Sequence, residues 1–280
     1  MKTVVIPMCH SNNVIESISS FIDRDNLSFI LIGDVEETKK IAVNSGVNID
    51  GVNLIEELNE VKACTLAAKL ISEGKGDIAM KGLVHTSIFL KALLRKEFGL
   101  LEDKSLVSLV SRFIIPNYHK PLFLTDAGIN ISPTLDQKIK IIKNAIFVAN
   151  SLGIHEPKVA CLSPIEVVNH KIPSTEDGFA LSQMSVFGDA IVDGPLSFDI
   201  SLSKEAARIK GATSVVAGDA DILFAPNLDV GNALYKSFTL FGNAKVAGVV
   251  AGLKIPVVLT SRADSKEVKV DSLELALNMK

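Results

Sequence analysis

No tryptophan occurs among these 280 residues, and only 2 are tyrosine. Aromatic residues make up 5% of the chain while apolar residues make up 48%, so any core must be aliphatic. A core of Val, Ile, Leu and Ala suits buried parallel strands covered by helices. Cysteine is scarce as well. Cys9, Cys64 and Cys161 are odd in number and far apart, which excludes a disulfide framework or a metal-binding spacing. They read as reduced core thiols, as expected of a cytoplasmic protein. The 5 histidines show no ligand spacing, so no metal is expected. The formal charge of -3, with no basic cluster interleaved with aromatics, argues against a nucleic-acid surface. No apolar run is long enough to span a bilayer, and the opening MKTVVIPM lacks a signal-peptide layout, so no membrane partner is expected. Missing too are GxGxxG, the Walker A loop, GxSxG and HExxH. The usual dinucleotide, nucleotide-triphosphate, serine-hydrolase and zinc-protease readings therefore lack their residues.

What is present is alternation. Strand-like runs lie at Thr3 to Met8, Ser28 to Gly33, Asp77 to Lys81, Pro121 to Asp126, Lys158 to Leu162, Asp221 to Ala225, Ala247 to Ala251 and Pro256 to Thr260. Helical patterns fall between them, at Glu57 to Ser72, Ser87 to Glu97, Leu135 to Leu152, Val230 to Lys245 and Ser265 to Met279. The clearest helix opens with Thr134 and Gln137 at capping-box spacing and stops at Gly153. Alternating β and α over the whole length predicts an α/β fold with mostly parallel sheets and helices on both faces. The chain is long for one core. The loop from Asp126 to Pro133 and the glycines Gly248 and Gly252 are plausible crossings. They divide the chain into a first lobe of residues 1–131 and 252–280 and a second of 132–251.

Several polar clusters fall just after strand-like runs, where open α/β sheets place ligands. The first is Ser261-Arg262-Ala263-Asp264, between a strand and a helix. It groups a hydroxyl, a fixed cation and a carboxylate at a helix N-terminus, which favours an anion; a polar turn with a helix cap is the simpler account of the triplet alone. The second is Met80 to Ser87, MKGLVHTS, which offers Lys81, His85 and Thr86 as ligand contacts or as an ordinary βα loop. The third, Leu124 to Pro133, holds Asp126 and Asn130, which either orient a ligand or tie down their own loop in an Asx turn. The fourth, Pro226 to Lys236, holds Asn227, Asn232 and Tyr235, read either as ligand contacts or as a capped helix with a core-facing tyrosine. Asp189 and Asp193 are spaced like metal ligands on a helix, but Gly194-Pro195 argues against a helix there.

Taken together, MKGLVHTS, LTDAGINISPTLDQK, IVDGPLSFD, VAGDADILFAPNLDVGNALYK and VVLTSRADS resemble the phosphate acetyl/butyryl transferase family, in the expected order from about Asp77 onward. The compact length, the MKGLVHTS form and the SRADS ending are closer to the butyryltransferase branch. The resemblance implies two α/β/α lobes with an inter-lobe cleft, similar to isocitrate and isopropylmalate dehydrogenases. It also implies a homodimer or higher oligomer. The implied reaction is acyl-CoA plus phosphate giving acyl phosphate plus CoA, with CoA as a substrate and no permanently bound cofactor. By position, Ser261 and Arg262 match the family's Ser-Arg pair, with Ser261 at the oxyanion or sulfur and Arg262 as phosphate clamp. Asp264 is the favoured base, with Glu267 the other carboxylate in reach. Lys91 stands near the place of a family arginine, which leaves a second phosphate cation open.

Three other readings are open to the sequence. One is a phosphate acetyltransferase acting on acetyl-CoA. Another is a non-catalytic acyl-CoA-sensing module, against which the intact Ser261, Arg262 and Asp264 argue. The third is a decarboxylating dehydrogenase of the same architecture, for which neither NAD contacts nor a set of metal-binding aspartates can be assembled.

Overall fold

A computed structural model of the chain describes residues 1–260 and 264–279. By internal contacts the chain forms two compact units, Met1–Ser105 with Ala247–Asn278, and Leu106–Val246 with the final two residues. The first division thus falls ahead of the loop at Asp126 to Pro133. The reason is pairing: β5 (Ser108–Ile114) and β6 (Leu122–Thr125) hydrogen-bond to each other, and β6 pairs with a strand of the second unit.

In the first unit, β1 (Lys2–Pro7), α1 (Asn12–Ile22), β2 (Leu27–Gly33), α2 (Val35–Asn44), β3 (Asn53–Glu56), α3 (Glu60–Ser72), β4 (Ile78–Met80) and α4 (Thr86–Leu93) alternate along the chain. Their strands lie in the parallel order β3-β2-β1-β4. Val4, Val5, Ile6, Leu31, Ile32, Ala79 and Met80 have no exposed surface, which is why these runs read as continuous apolar stretches rather than alternating ones. The chain returns to this unit through β10 (Lys245–Ala251), β11 (Val257–Val258) and α10 (Lys266–Asn278). β10 and β11 pair antiparallel, while β11 runs parallel to β4 with Val257 opposite Ala79 and Val258 opposite Met80. Helix α10 packs on α1, with an Arg24–Glu274 ion pair of 3.0 Å at the rim. Ser272 in α10 accepts a hydrogen bond from Gly248 N at 2.9 Å.

The second unit contains, besides β5 and β6, α5 (Leu135–Ser151), β7 (Lys158–Leu162), α6 (Pro173–Ser182), β8 (Ile191–Leu196), α7 (Phe198–Leu202), α8 (Lys204–Ile209), β9 (Ile222–Phe224) and α9 (Leu228–Leu240). Its strand order is β5-β6-β9-β7-β8, parallel except for β5 against β6. The capping box expected at α5 is formed: Thr134 accepts from Gln137 N while Gln137 accepts from Thr134 N. The Asp189–Asp193 segment is not helical; Asp193 sits in β8, and the Gly194–Pro195 peptide bond is cis, as is Thr125–Asp126.

Candidate functional site

Two motifs far apart in the chain meet because β4 and β11 pair. Lys81 N donates to Val258 O at 3.0 Å, so the chain leaving β4 and the chain leaving β11 emerge side by side. Lys81 and Thr260 therefore line one pocket of about 210 Å³, together with Ser11, Asn12 and Lys269. Gly82 makes the turn after β4 feasible. A Cβ there would lie 2.3 Å from the carbonyl oxygens of both Pro7 and Met8. The close approach lets Leu83 N donate to Met8 O at 2.7 Å, which ties the β4–α4 turn to the end of β1. Met8 itself sits at φ 53°, an unusual region for a side chain that is not glycine.

Lys81 is 4% exposed and its ammonium donates to Gly82 O and Val84 O, both at 3.2 Å. His85 occupies the N-cap position of α4 with an exposed side chain that makes no capping hydrogen bond, and Thr86 is the helix's first residue. Asp264 lies just ahead of α10, and its carbonyl accepts from the Lys269 ammonium at 3.2 Å. Lys269 is 5% exposed, and burial pushes its pKa down while the Asp264 charge pushes it up. Glu267 is exposed, and hydrogen bonds from the Ser265 side chain and the backbone hold its carboxyl below the usual range. Ser261 and Arg262 lie outside the described residues.

In the second unit the expected contacts gather at the carboxyl ends of β6 and β9, which are adjacent parallel strands with Thr125 opposite Phe224. Asp126 is 3% exposed. Its carboxylate accepts from Gly128 N at 2.8 Å, Ile129 N at 3.1 Å, Asn130 N at 3.1 Å and the Asn130 amide at 2.6 Å. Burial raises the Asp126 pKa against the pull of these bonds. Asn130 also donates to Val107 O at 2.9 Å. These bonds tie the loop to the Asp126 carboxylate. Asn227 caps α9, accepting from Val230 N at 3.0 Å. Asn232, one turn further along, donates to Ala127 O at 3.4 Å, and Tyr235 sets its ring edge-on to Phe113 at 5.4 Å. The loop and α9 touch through Gly231, where a Cβ would meet Asp126 O at 2.1 Å.

A pocket of about 590 Å³ lies beside Asn227 in this unit and was not anticipated from sequence. Its walls are mostly apolar, including Leu162, Phe198 and Leu234, but Lys138 and Asp177 face it as a 2.5 Å ion pair. Lys138, the last residue of the LTDAGINISPTLDQK segment, sits at the fourth position of α5, and Asp177, outside the quoted segments, at the fifth of α6. Only the tertiary fold brings them together. Among the described residues no group of three or more His, Cys, Asp or Glu is placed to hold a metal ion.

Comparison with known proteins gives consistent matches. A family model described as phosphate acetyl/butaryl transferase matches residues 55–277. The phosphate butyryltransferase of Clostridium acetobutylicum is 43% identical over 99% of this chain and 92% of its own length. The phosphate acetyltransferase of Thermotoga maritima is 38% identical over 98% of this chain and 94% of its own length. The crystal structure of a branched-chain phosphotransacylase from Enterococcus faecalis V583 aligns with a TM-score of 0.87 and 36% identity, covering 99% of this chain and 98% of that one.

Proposed function

The chain belongs to the phosphate acetyl/butaryl transferase family, and from that premise we propose that it moves a short acyl group, butyryl or branched-chain, between CoA and inorganic phosphate. The observation that carries this reading is the full-length likeness to the Clostridium acetobutylicum butyryltransferase, joined to an unbroken Ser261-Arg262-Ala263-Asp264 segment.

The proposed chemistry needs few parts. The thiolate of CoA is the nucleophile toward the acyl phosphate carbonyl, and phosphate is the leaving group. Arg262 holds the phosphate through two parallel hydrogen bonds. Ser261 contacts the carbonyl oxygen as charge develops on it. Asp264 takes the thiol proton. Lys81, His85 and Thr86 form a wall of the substrate site. In the second unit, Asp126 and Asn130 act by holding their loop, and Asn227, Asn232 and Tyr235 present one end and face of α9 beside it. No covalent enzyme intermediate is needed, and binding both substrates together supplies the proximity term. The enzyme is read as a cytoplasmic homodimer or higher homo-oligomer with CoA and phosphate as its partners.

The Thermotoga maritima likeness favours one other substrate, acetyl-CoA. Release of free thiol from a panel of acyl-CoAs, with and without phosphate, decides both points. Phosphate-dependent release, fastest with butyryl or branched acyl groups, is expected. Fastest release from acetyl-CoA selects the second reading, and no phosphate-dependent release from any acyl-CoA overturns both. Arg262→Ala is expected to raise the phosphate KM or abolish turnover.

A further inference from the structure

The pocket of about 590 Å³ opens at the carboxyl ends of the second unit's parallel strands, where open α/β sheets bind ligands. Ser132 and Pro133 follow β6, Ser163 and Pro164 follow β7, Phe198 follows β8, and Pro226 and Asn227 follow β9. Its wall decides which part of a ligand can enter. Four lining residues, Pro133, Pro164, Pro173 and Pro226, are prolines and bring no N–H. The helix starts that border it, a common place for anions, are already partly satisfied. A capping box holds α5, Asn227 takes the N–H of Val230 in α9, and α6 begins with Pro173. Lys138 is the one cation of the lining, and Asp177 in the same wall neutralises it at 2.5 Å. A phosphate there meets no net positive charge. An uncharged aliphatic group meets the opposite. Leu162, Val230 and Leu234 offer apolar surface, the last two one turn apart on the same face of α9. Phe198 is 41% exposed yet held in place, its ring stacked on Phe238 at 6.0 Å, and Phe238 meets Phe113 edge-on at 5.2 Å. The volume falls in the range of sites that enclose most of a drug-sized ligand, which is more room than an acetyl group fills.

We infer that this pocket takes the acyl chain of the thioester with the adjoining part of the pantetheine arm, and that Leu162, Phe198 and Leu234 set which acyl chains the protein accepts. The inference rests on the transferase reading for the identity of the ligand. None of the three residues was among the contacts expected from sequence; packing alone brings them together, from β7, α7 and α9.

Leu234 is half-buried, so its size can be changed in both directions without opening the core. The test measures phosphate-dependent kcat/KM of the full-length protein for acetyl-, butyryl- and hexanoyl-CoA, read as ratios, which a loss of folded protein does not move. One buried methylene is worth about 4-fold. Leu234→Phe should therefore lower the butyryl-to-acetyl ratio by up to about 15-fold, the value of two methylenes. Leu234→Ala should raise the hexanoyl-to-butyryl ratio by about 4-fold or more. Leu240→Trp, at an exposed position of α9 outside the pocket, should keep both ratios at wild-type values. Unchanged ratios in both Leu234 variants, or equal shifts in Leu240→Trp, overturn the inference. If the wild type releases no thiol from any acyl-CoA, the transferase reading falls and calorimetric titration with butyryl-CoA and CoA tests the pocket by itself. Weakening by Leu234→Phe confined to butyryl-CoA then supports the acyl site. Equal weakening of both ligands, or of neither, overturns it.

Discussion

The ammonium of Lys138 lies 2.5 Å from the carboxylate of Asp177, and Lys138 is 6% exposed. The pair joins α5 to α6 at the edge of a mostly apolar pocket. Removing one partner leaves an uncompensated buried charge, which is worse than removing both. Asp177→Asn should therefore lower stability by about 2–3 kcal/mol, whereas Lys138→Met with Asp177→Leu should recover most of that loss. Urea unfolding of Lys138→Met, Asp177→Leu and the variant carrying both measures the coupling; additive losses would show that the pair does not interact.

Asp219 is the hub of a second cluster. Burial pushes its pKa up, but hydrogen bonds from Lys158, His119 and Lys120 outweigh this and hold it well below the usual carboxylate range. An unfolded aspartate titrates near about 3.9. A folded pKa below that adds stability at higher pH, and the contribution is lost as pH falls through the folded value. The wild type should thus lose stability below about pH 4, and Asp219→Asn should flatten that acid limb while destabilising the protein at pH 7 by about 1–2 kcal/mol. Melting temperature against pH for both proteins is the measurement. An equally steep acid limb in the variant would exclude this role.

Gly231 is required by contact rather than by dihedral angle. Its missing Cβ would stand 2.1 Å from Asp126 O and 3.1 Å from Ala127 Cα. Gly231→Ala must push α9 off the Asp126 loop, with a loss of about 2 kcal/mol or more. Because Asn232 and Tyr235 ride on the same helix, kcat or the substrate KM should change with it. Stability and kinetics at wild-type values would show that the loop and helix are free to shift.

The three thiols should be silent in the native state. Cys9, Cys64 and Cys161 are buried, and burial raises all three pKa values, that of Cys64 to about 12. Reaction needs the exposed thiolate. A colorimetric disulfide reagent at pH 8 should label the folded protein only at the rate of unfolding, and all three thiols at once in denaturant. Rapid labelling of one thiol in the native protein would contradict this.

Long buried strands and long amphipathic helices were legible in the sequence. β1, β2, β7 and α5 lie close to where their apolar runs place them. Elements with weak local signals were not. Helix α1 carries three serines, poor helix formers in isolation. Ser17 is nevertheless fully buried, its hydroxyl satisfied by Val14 O at 2.7 Å. Strand β8 contains Gly194-Pro195, which argues against a strand; it survives at the end of the second unit's strand order, where a missing N–H is tolerated. Strand β5 was not legible although Pro116-Asn117 marks a turn before β6, because Ser108, Ser111 and Arg112 interrupt its apolar run.

The order of residues alone determined the α/β class, the reduced thiols, the capping box of α5 and the motifs that carry the family likeness, because each depends on neighbours within a few positions. Tertiary structure decided what those motifs touch. The bond from Lys81 N to Val258 O brings the MKG turn beside the strand that leads to Ser261. The side of α10 that packs inward makes Lys269, outside every motif, a wall of the same pocket. Asp126, which in sequence could face a ligand or its own loop, is bound by four donors of that loop. Such contacts join residues up to hundreds of positions apart, and only strand register and helix rotation set them.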